Sequence, residues 1–238
     1  MIYAGILAGG LGTRMLQTDL PKQFLQLGEK PVILHTIDQF VLNTRFDEIL
    51  VAVPAAWKDY TFELFQKYYP GNRRIYLMEG GPTRNDTLLR ICNEIEFRYG
   101  IREDDVIISH DAVRPFVTSR IINDNIDAVL KYKAVDTVVP ACDTIVESED
   151  GQIIDQIPLR SHLYQGQTPQ SFNIIYWRDA YTSLSEVQAQ ELTDAAKVIV
   201  LKGEPVHLVS GEFSNMKITT PYDIRTANAL LRVGGVCD

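Results

Sequence analysis

Cysteine is scarce in the 238-residue sequence, and the patterns that would give it a structural role are missing. Cys92, Cys142 and Cys237 are far apart and form no CxxC pair, so neither a disulfide framework nor a zinc site is expected. The four histidines show no metal-ligand spacing either. A reducing, cytoplasmic location fits this composition.

Long apolar runs and an excess of positive charge are also missing. No segment approaches the roughly 20 residues that cross a bilayer, and the N-terminal apolar stretch lacks basic residues, so it predicts a buried strand rather than a signal peptide. The formal net charge of −8 argues against non-specific nucleic-acid binding, which needs a basic surface. A local basic pocket for a phosphate ligand is still compatible with that charge.

Short β-branched segments alternate with longer segments of helical periodicity over most of the chain. Strands are predicted at 2–7, 48–53, 74–78, 105–109, 136–140 and 206–209, and helices at 31–42, 57–69, 84–99, 119–132, 176–184, 193–200 and 221–232. This alternation predicts a Rossmann-like α/β fold, with a mostly parallel sheet covered by helices on both faces. The length fits a single domain spanning residues 1–238.

The alternation breaks between Cys142 and Phe172, where the chain is polar and rich in turn residues. Asp150-Gly151 is typical of a hairpin turn. We therefore predict a protruding arm at about 142–172 rather than a separate domain. The last helix has clear start signals, with Thr220 as N-cap, Pro221 at the first helical position and Asp223 where a capping box needs an acid.

A glycine-rich loop, Leu7-Ala8-Gly9-Gly10-Leu11-Gly12-Thr13-Arg14, directly follows the first strand. Ligands of open α/β sheets bind at the carboxyl ends of strands, and glycines let backbone N–H groups approach a phosphate closely. The loop lacks the Gly-Lys-Ser/Thr of a P-loop. A dinucleotide loop is also disfavoured, because Met15 replaces its third glycine and Val53-Pro54 replaces the acid that ends its second strand.

Two cations, Arg14 and Lys22, follow the glycines, the second within Leu20-Pro21-Lys22-Gln23-Phe24. When one phosphate attacks the α-phosphorus of another, extra negative charge develops in the transition state. Arg and Lys on a fixed loop, together with a divalent metal, would stabilise that charge. No nucleophilic side chain is needed, because the substrate phosphate attacks. The alternative for Lys22 alone is a solvated loop lysine.

The pattern LAGGxGTRM followed by PKQF resembles the signature of the methylerythritol-phosphate and ribitol-phosphate cytidylyltransferases, and the resemblance covers essentially the whole chain. It implies a nucleotide-diphospho-sugar transferase type of fold, CTP as donor, Mg²⁺ as cofactor, a polyol phosphate as acceptor, and a homodimer. It also implies catalytic roles for Arg14, Lys22 and Lys217. The implied nucleotide-binding residues are Leu7, Ala8, Gly9, Gly10, Gly12, Thr13, Gly81, Arg84, Thr87 and Asp111.

The segment Gly80-Gly81-Pro82-Thr83-Arg84-Asn85-Asp86-Thr87 has two interpretations. Thr83 and Asp86 alone could explain it as a helix start. The resemblance implies that the Gly81 backbone and the Thr87 hydroxyl hold the cytosine. Pro82 departs from the acidic residue often found there.

Asp111 ends a predicted buried strand beside the phosphate loop, which is a suitable place for a Mg²⁺ ligand. The alternative is a turn carboxylate paired with Arg114. Lys217 alternates with Met216 and Ile218, so it should face away from the apolar side of a short strand. The resemblance implies that Asp111 touches ribose and metal, that Arg114 meets the acceptor phosphate, and that Lys217 binds nucleotide phosphates; a surface lysine is the alternative for Lys217.

The resemblance assigns further residues to the acceptor side, where each alone could be an ordinary polar loop residue. These are Asp143, Thr144, Arg160, Thr168 and Thr193. It also implies that the arm crosses a twofold axis, so that Thr144 and Arg160 serve the active site of the partner protomer.

Several segments look more like the ribitol-phosphate type, whose product, CDP-ribitol, is a precursor of wall teichoic acid or a related polymer. They are residues 3–7, 136–138, 143–147, 163–168 and 217–223. Methylerythritol phosphate, an isoprenoid precursor, is the alternative acceptor. From other classes, a nucleotide-dependent oxidoreductase is disfavoured by the broken dinucleotide loop. A non-catalytic nucleotide-binding module is disfavoured because binding alone does not need two transition-state cations.

Overall fold

A seven-stranded sheet forms the centre of the protein in a computed structural model that describes residues 1–10 and 20–232. Its strands are β1 (Ile2–Leu7), β4 (Glu48–Val53), β5 (Ile75–Glu79), β6 (Val106–Asp111), β7 (Ala134–Pro140), β8 (Tyr164–Asn173) and β9 (His207–Ser210). A small hairpin is made by β2 (Gln26–Leu27) and β3 (Lys30–Pro31). The helices are α1 (Val32–Leu42), α2 (Lys58–Tyr68), α3 (Arg84–Tyr99), α4 (Ser119–Tyr132), α5 (Ile174–Thr182), α6 (Glu186–Gln190), α7 (Ala196–Val200) and α8 (Pro221–Arg232).

The strand order is β5-β4-β1-β6-β8-β7-β9, and β8 alone of these runs antiparallel to its neighbours. The mostly parallel α/β sheet is therefore confirmed. The strand order reverses beside β1. The chain continues from β1 to β4 and β5 on one side of β1, and then crosses to β6 on its other side. Such a reversal opens a crevice at the carboxyl ends of the strands, where ligands of these folds bind.

Helices cover both faces of the sheet because successive strand residues point to opposite sides. On β1, Ala4 and Ile6 belong to an apolar cluster shared with α1, α2 and α4. Tyr3 and Leu7 belong to a second cluster shared with α3, α5 and α7. Trp177 of α5 is fully buried in that second cluster, and its indole N–H donates to the carbonyl of Ala195 at 3.0 Å.

Strand register brings the candidate site residues to one edge of the sheet. Leu7, the last residue of β1, lies opposite Ala52 of β4 and Asp111 of β6. Gly80 follows β5, and its N–H donates to the carbonyl of Val53 at 2.8 Å. The start of the glycine-rich loop, the second glycine pair (Gly80-Gly81) and Asp111 therefore meet at the switch in strand order.

The arm is shorter than the sequence predicts, because residues 164–172 belong to β8 inside the central sheet. Polar residues of β8 are buried and satisfied there: Ser171 donates to Asn125 Oδ1 at 2.9 Å, and the Pro169 carbonyl accepts from Thr137 at 2.6 Å. The excursion that remains, 142–163, reverses around Gly151, which has φ +70°. Glu147 and Gln156 form an antiparallel bridge across that reversal.

Helix starts follow the sequence signals closely. Thr83 accepts from the N–H of Asp86 at the start of α3. At α8, Thr220 Oγ1 accepts from the N–H of Asp223, and the Asp223 carboxylate accepts from the N–H of Thr220 at 2.8 Å, so the predicted capping box is confirmed. The helix expected from residue 193 begins at Ala196 instead, and α6 was not predicted.

Within residues 1–10 and 20–232, no helix combines the length and the apolar character needed to cross a bilayer.

Candidate active site

A pocket opens at the carboxyl edge of the sheet and encloses about 650 Å³, its open mouth included. It is lined by Leu7, Ala8, Gly9, Gly10, Lys22, Gln23, Gly81, Pro82, Thr83, Arg84, Thr87, Asp111, Val113 and Lys217. Most of the predicted nucleotide-binding residues are in this set. The predictions for Gly12, Thr13 and Arg14 lie outside the described residues.

Lys22 is held against the glycine-rich loop by its neighbours in sequence. Gln23 is buried and donates from Nε2 to the carbonyl of Ala8 at 2.8 Å, which joins the two segments. Phe24 packs against Trp57 and Tyr60 with ring centroids 5.2 Å away in each case. A Cβ placed on Gly10 would lie 3.7 Å from Lys22 Cε, so the lysine side chain passes directly beside the loop. No pattern in the sequence indicates this positioning role of Gln23, which depends on a contact 15 residues away along the chain.

The second glycine pair forms a tight wall of the pocket. A Cβ on Gly81 would lie 2.6 Å from Asp86 Cβ, so no larger residue fits at this position without movement of the α3 start. The Gly81 N–H donates to Thr87 Oγ1 at 2.9 Å, and that hydroxyl is 2.8 Å from the Thr83 carbonyl. Thr87 therefore fixes the loop from within, in addition to lining the pocket.

Three cations surround the carboxylate of Asp111 at the end of β6. Lys217 Nζ lies 2.7 Å from Oδ2, Arg84 Nε lies 3.1 Å from Oδ1, and Arg114 Nε lies 3.9 Å from Oδ2. Burial by itself would raise the pKa of Asp111, but Arg84, Lys217 and Arg114 together hold that pKa well below its usual range. Asp111 is therefore ionised at any physiological pH.

A buried hydrogen-bond network fixes the backbone on which Asp111 stands. The Asp111 N–H donates to Thr168 Oγ1 at 3.1 Å, and the Thr168 hydroxyl lies 2.9 Å from His110 Nδ1. His110 Nε2 lies 3.1 Å from the Arg114 carbonyl. A carbonyl only accepts, so Nε2 carries the proton and Nδ1 accepts from Thr168. Burial lowers the pKa of His110 to about 3, which keeps the ring neutral.

Asn215 links this network to the segment that carries Lys217. Its side-chain amide donates to the Thr168 carbonyl at 2.8 Å, and its own carbonyl accepts from Arg114 Nη1 at 2.8 Å. The short strand predicted around Lys217 is absent from the described structure, because Ile218 makes a backbone hydrogen bond to Val113 without forming a strand. Lys217 nevertheless lines the pocket, while its neighbour Ile218 is buried.

Comparison with known proteins agrees with this site. The family model for IspD, 2-C-methyl-D-erythritol 4-phosphate cytidylyltransferase, matches residues 2–233. The chain belongs to the IspD family. It is accordingly a nucleotidyltransferase of the cytidylyltransferase type.

Solved structures of similar chains support this membership. The 4-diphosphocytidyl-2C-methyl-D-erythritol synthase of Anaerococcus prevotii is 28% identical, with a TM-score of 0.80 over 97% of this chain and 96% of that one. The 2-C-methyl-D-erythritol 4-phosphate cytidylyltransferase of Francisella tularensis is 27% identical, with a TM-score of 0.78 over 96% and 98%. That of Thermus thermophilus is also 27% identical, with a TM-score of 0.73 over 96% and 98%.

The acceptor-side residues predicted for this IspD-family chain lie in three places. Arg114 and Thr168 are buried beside Asp111. Asp143, Thr144 and Arg160 lie on the arm, are exposed, and do not line the pocket of their own chain. Thr193 is exposed in the bend before α7, next to Asp194, whose carbonyl accepts from Asn85 Nδ2 at 3.3 Å.

Metal binding in this IspD-family pocket would depend on one protein carboxylate. Asp111 is the only acidic residue among the described residues that line the pocket. The described part of the chain also holds no group of three or more His, Cys, Asp or Glu side chains suited to a metal ion. A metal here would therefore take most of its ligands from water and from a substrate.

Proposed function

We propose that this chain transfers CMP from CTP to D-ribitol 5-phosphate, giving CDP-ribitol and pyrophosphate, and so supplies a precursor of wall teichoic acid or a related polymer. The observation that carries the choice of acceptor is the position of the segments that resemble the ribitol-phosphate type. Residues 136–138 lie on β7, and residues 164–168 of the segment 163–168 lie on the adjoining β8, where Gly166 pairs in register with Val138. Thr168 of the second segment contacts Asp111 directly.

In the proposed reaction, a phosphate oxygen of the acceptor attacks the α-phosphorus of CTP. A new P–O bond forms, the bond from the α-phosphorus to the bridging oxygen breaks, and pyrophosphate leaves with that electron pair. Lys22 and Lys217 line the pocket from opposite segments and would neutralise the charge that develops, together with Arg14. Arg114, buried behind Asp111, would bind the acceptor phosphate.

The donor set fits Mg²⁺ bound together with a nucleotide. Mg²⁺ usually takes one or two carboxylates and completes its coordination with waters and substrate phosphates. Asp111 is ionised and lines the pocket, so it would hold the ion. The ion would then supply further charge neutralisation at the triphosphate.

Methylerythritol 4-phosphate is the second candidate acceptor. The solved structures described above support it, because those of F. tularensis and T. thermophilus carry its name. Both acceptors are small polyhydroxylated phosphates, so the same cations would serve either one.

We also propose that the protein works as a homodimer through its arm. Large aliphatic side chains are exposed along the arm, with Ile153 at 68% and Leu159 at 64%. A second copy of the chain that packed on these residues would remove them from water. In that dimer Thr144 and Arg160 would serve the pocket of the partner protomer, as the resemblance implies.

The proposed acceptor is tested by pyrophosphate release from CTP with each acceptor in turn. We expect kcat/KM for ribitol 5-phosphate to exceed that for methylerythritol 4-phosphate by about tenfold or more, which corresponds to one misplaced or missing polar contact. CTP alone, without an acceptor, is the control for hydrolysis. A preference for methylerythritol 4-phosphate would overturn the acceptor assignment and leave the cytidylyltransferase activity in place.

A further inference from the structure

A group of polar side chains behind the pocket has hydrogen-bonding capacity that the protein does not use. Arg84 contacts Asp111 through Nε, while its Nη1 and Nη2 atoms are buried with no hydrogen-bond partner in the described structure. The Oδ1 atom of Asp136, on β7, is also buried without a hydrogen-bond partner. Native proteins leave few buried polar atoms unpaired, and each one needs an explanation.

Asp136 interacts electrostatically with two of the cations that surround Asp111. Both Arg84 and Arg114 act on its carboxyl group, and both also act on Asp111. On the sheet, Asp136 pairs in register with Gln170 of β8, whose side chain hydrogen bonds to the carboxyl group. A Cβ on Gly166 would be 3.7 Å from Asp136 Oδ2. The carboxyl group therefore lies next to Gln170 and Gly166, within the influence of Arg84 and Arg114, and keeps one oxygen unpaired.

The unpaired atoms indicate which functional group of a ligand could pair with them. Arg84 offers two donor nitrogens and Asp136 offers one acceptor oxygen, so a group that accepts from the first and donates to the second would pair with both. A hydroxyl does this, since it has one donor and two acceptor lone pairs. A phosphate only accepts at neutral pH and would be repelled by the Asp136 carboxylate. The acceptor's hydroxyl groups therefore fit here, and its phosphate fits nearer Arg114 and Lys217.

We propose that Asp136 is a specificity-determining residue that accepts a hydrogen bond from a hydroxyl group of the acceptor polyol. The proposal rests on the proposed transfer of CMP to a polyol phosphate, and it holds for either candidate acceptor. In this arrangement the polyol chain of the acceptor extends from its phosphate at Arg114 toward Asp136 on β7. It also adds Asp136 to the residues that sequence comparison assigns to the acceptor.

Opposing influences act on the protonation of the Asp136 carboxyl group, and protonation decides whether the group accepts a hydrogen bond or donates one. Burial raises the pKa of Asp136 to about 7, and Asp194, before α7, acts in the same direction. The hydrogen bond from Gln170, Arg84 at the start of α3, and Arg114 after β6 act against them. The carboxyl group is therefore poised between its two forms near neutral pH and responds to a ligand that pairs with one of them.

Two substitutions at one position test the proposal. Asp136→Leu removes both carboxyl oxygens, and we expect it to raise KM for the acceptor about 10- to 100-fold, the loss typical of a hydrogen bond to a charged group. Asp136→Asn keeps one oxygen and should have a smaller effect in the same direction. CTP affinity, measured by titration of each variant, should stay within about twofold of wild type. Asp127→Asn is the matched control, because Asp127 is exposed on α4, pairs with Arg45 and does not line the pocket.

Monodeoxy acceptors identify the hydroxyl group. For the analogue that lacks the hydroxyl bound by Asp136, wild type should lose at least as much as Asp136→Leu loses with the full acceptor. The variant should lose less than wild type does on that change of acceptor, because only its contact with Arg84 is left to lose. The series is run with whichever of ribitol 5-phosphate and methylerythritol 4-phosphate the wild type uses, so a wrong acceptor assignment is seen separately. An acceptor KM unchanged in both variants, or a parallel loss of CTP affinity, would overturn the role of Asp136. Retained CTP binding by at least the Asn variant shows that the fold is intact.

Discussion

At the scale of single residues, Asp111 explains how an acidic protein can bind a triphosphate. Its one negative charge is surrounded by Arg84, Arg114 and Lys217, which leaves a local excess of positive charge. Lys22 lines the same pocket and adds to that excess. These nearby cations act on a bound triphosphate more strongly than the overall net charge of −8 does, because salt screens the distant surface charges over about 8 to 10 Å.

Lys22→Ala should lower kcat by about 100-fold or more while changing CTP affinity only a few-fold. A preorganised cation is most effective where charge develops in the transition state, and less so on the ground-state substrate. Steady-state pyrophosphate release gives kcat, and titration with CTP gives the dissociation constant. Equal losses in both quantities would show that Lys22 only binds the nucleotide.

Lys67→Ala is the matched control for that substitution. Lys67 is an exposed lysine of α2 whose ammonium group lies over the ring of Tyr68, away from the pocket. Its removal should leave kcat and CTP affinity unchanged. A similar loss in both lysine variants would point to a general effect of charge rather than to a role in the pocket.

At the scale of elements, the sequence predicts those parts whose local signals and tertiary environment agree. The helices α3 and α4 occupy the predicted ranges because their apolar spacing and their N-cap threonines point to the same start. The meeting of Leu7 and Asp111 follows from parallel strands, whose carboxyl ends share one edge. Strand β8 was missed because Gln167, Thr168, Gln170 and Ser171 are polar residues that are nevertheless buried, with hydrogen-bond partners distant in the chain.

The contacts of the site that the sequence does not indicate are long-range ones, including those of Thr168, a residue that was itself predicted. Thr168 bonds to His110 and Asp111 across 58 and 57 positions, and no local pattern indicates such pairs. Gln23 was visible only as a neighbour of Lys22, although it fixes that lysine to Ala8. Asp136 was part of a segment that resembled a family, and its unpaired oxygen could be found only in the structure.

The arm should place Arg160 in the partner's pocket, and mixing of inactive variants tests this. Lys22→Ala and Arg160→Ala should each have little activity alone. After unfolding and refolding together, half of the dimers are mixed, and each holds one pocket with both residues intact. We therefore expect about a quarter of wild-type activity to return, given twofold symmetry.

The alternative outcome of that mixing experiment is equally clear. If Arg160 acted on the pocket of its own chain, each pocket of a mixed dimer would still lack one residue, and activity would not return. Separately refolded variants, combined just before the assay, are the control for exchange. Native mass spectrometry of the mixture verifies that mixed dimers are present.

At the scale of the whole molecule, two buried groups give opposite contributions to the pH dependence of stability. His110 has its pKa lowered from 6.5 to about 3, so between these values the unfolded state binds a proton that the folded state does not. Its contribution to stability is therefore lost as pH falls. Asp136 has its pKa raised from 3.8 to about 7, so the folded state binds the extra proton and its contribution is gained as pH falls.

Between about pH 4 and 6.5 the two contributions act over the same range and oppose each other, each with a slope of about 1.4 kcal/mol per pH unit. Asp136→Asn removes one of them. The free energy of unfolding of this variant should rise with pH more steeply than that of wild type, by roughly that slope. Urea denaturation at several pH values in metal-free buffer measures it, with Asp127→Asn as a control that should follow wild type. Parallel curves for Asp136→Asn and wild type would mean that Asp136 is already ionised in the folded protein, and a charged carboxylate facing Arg84 would then have to be present throughout this range.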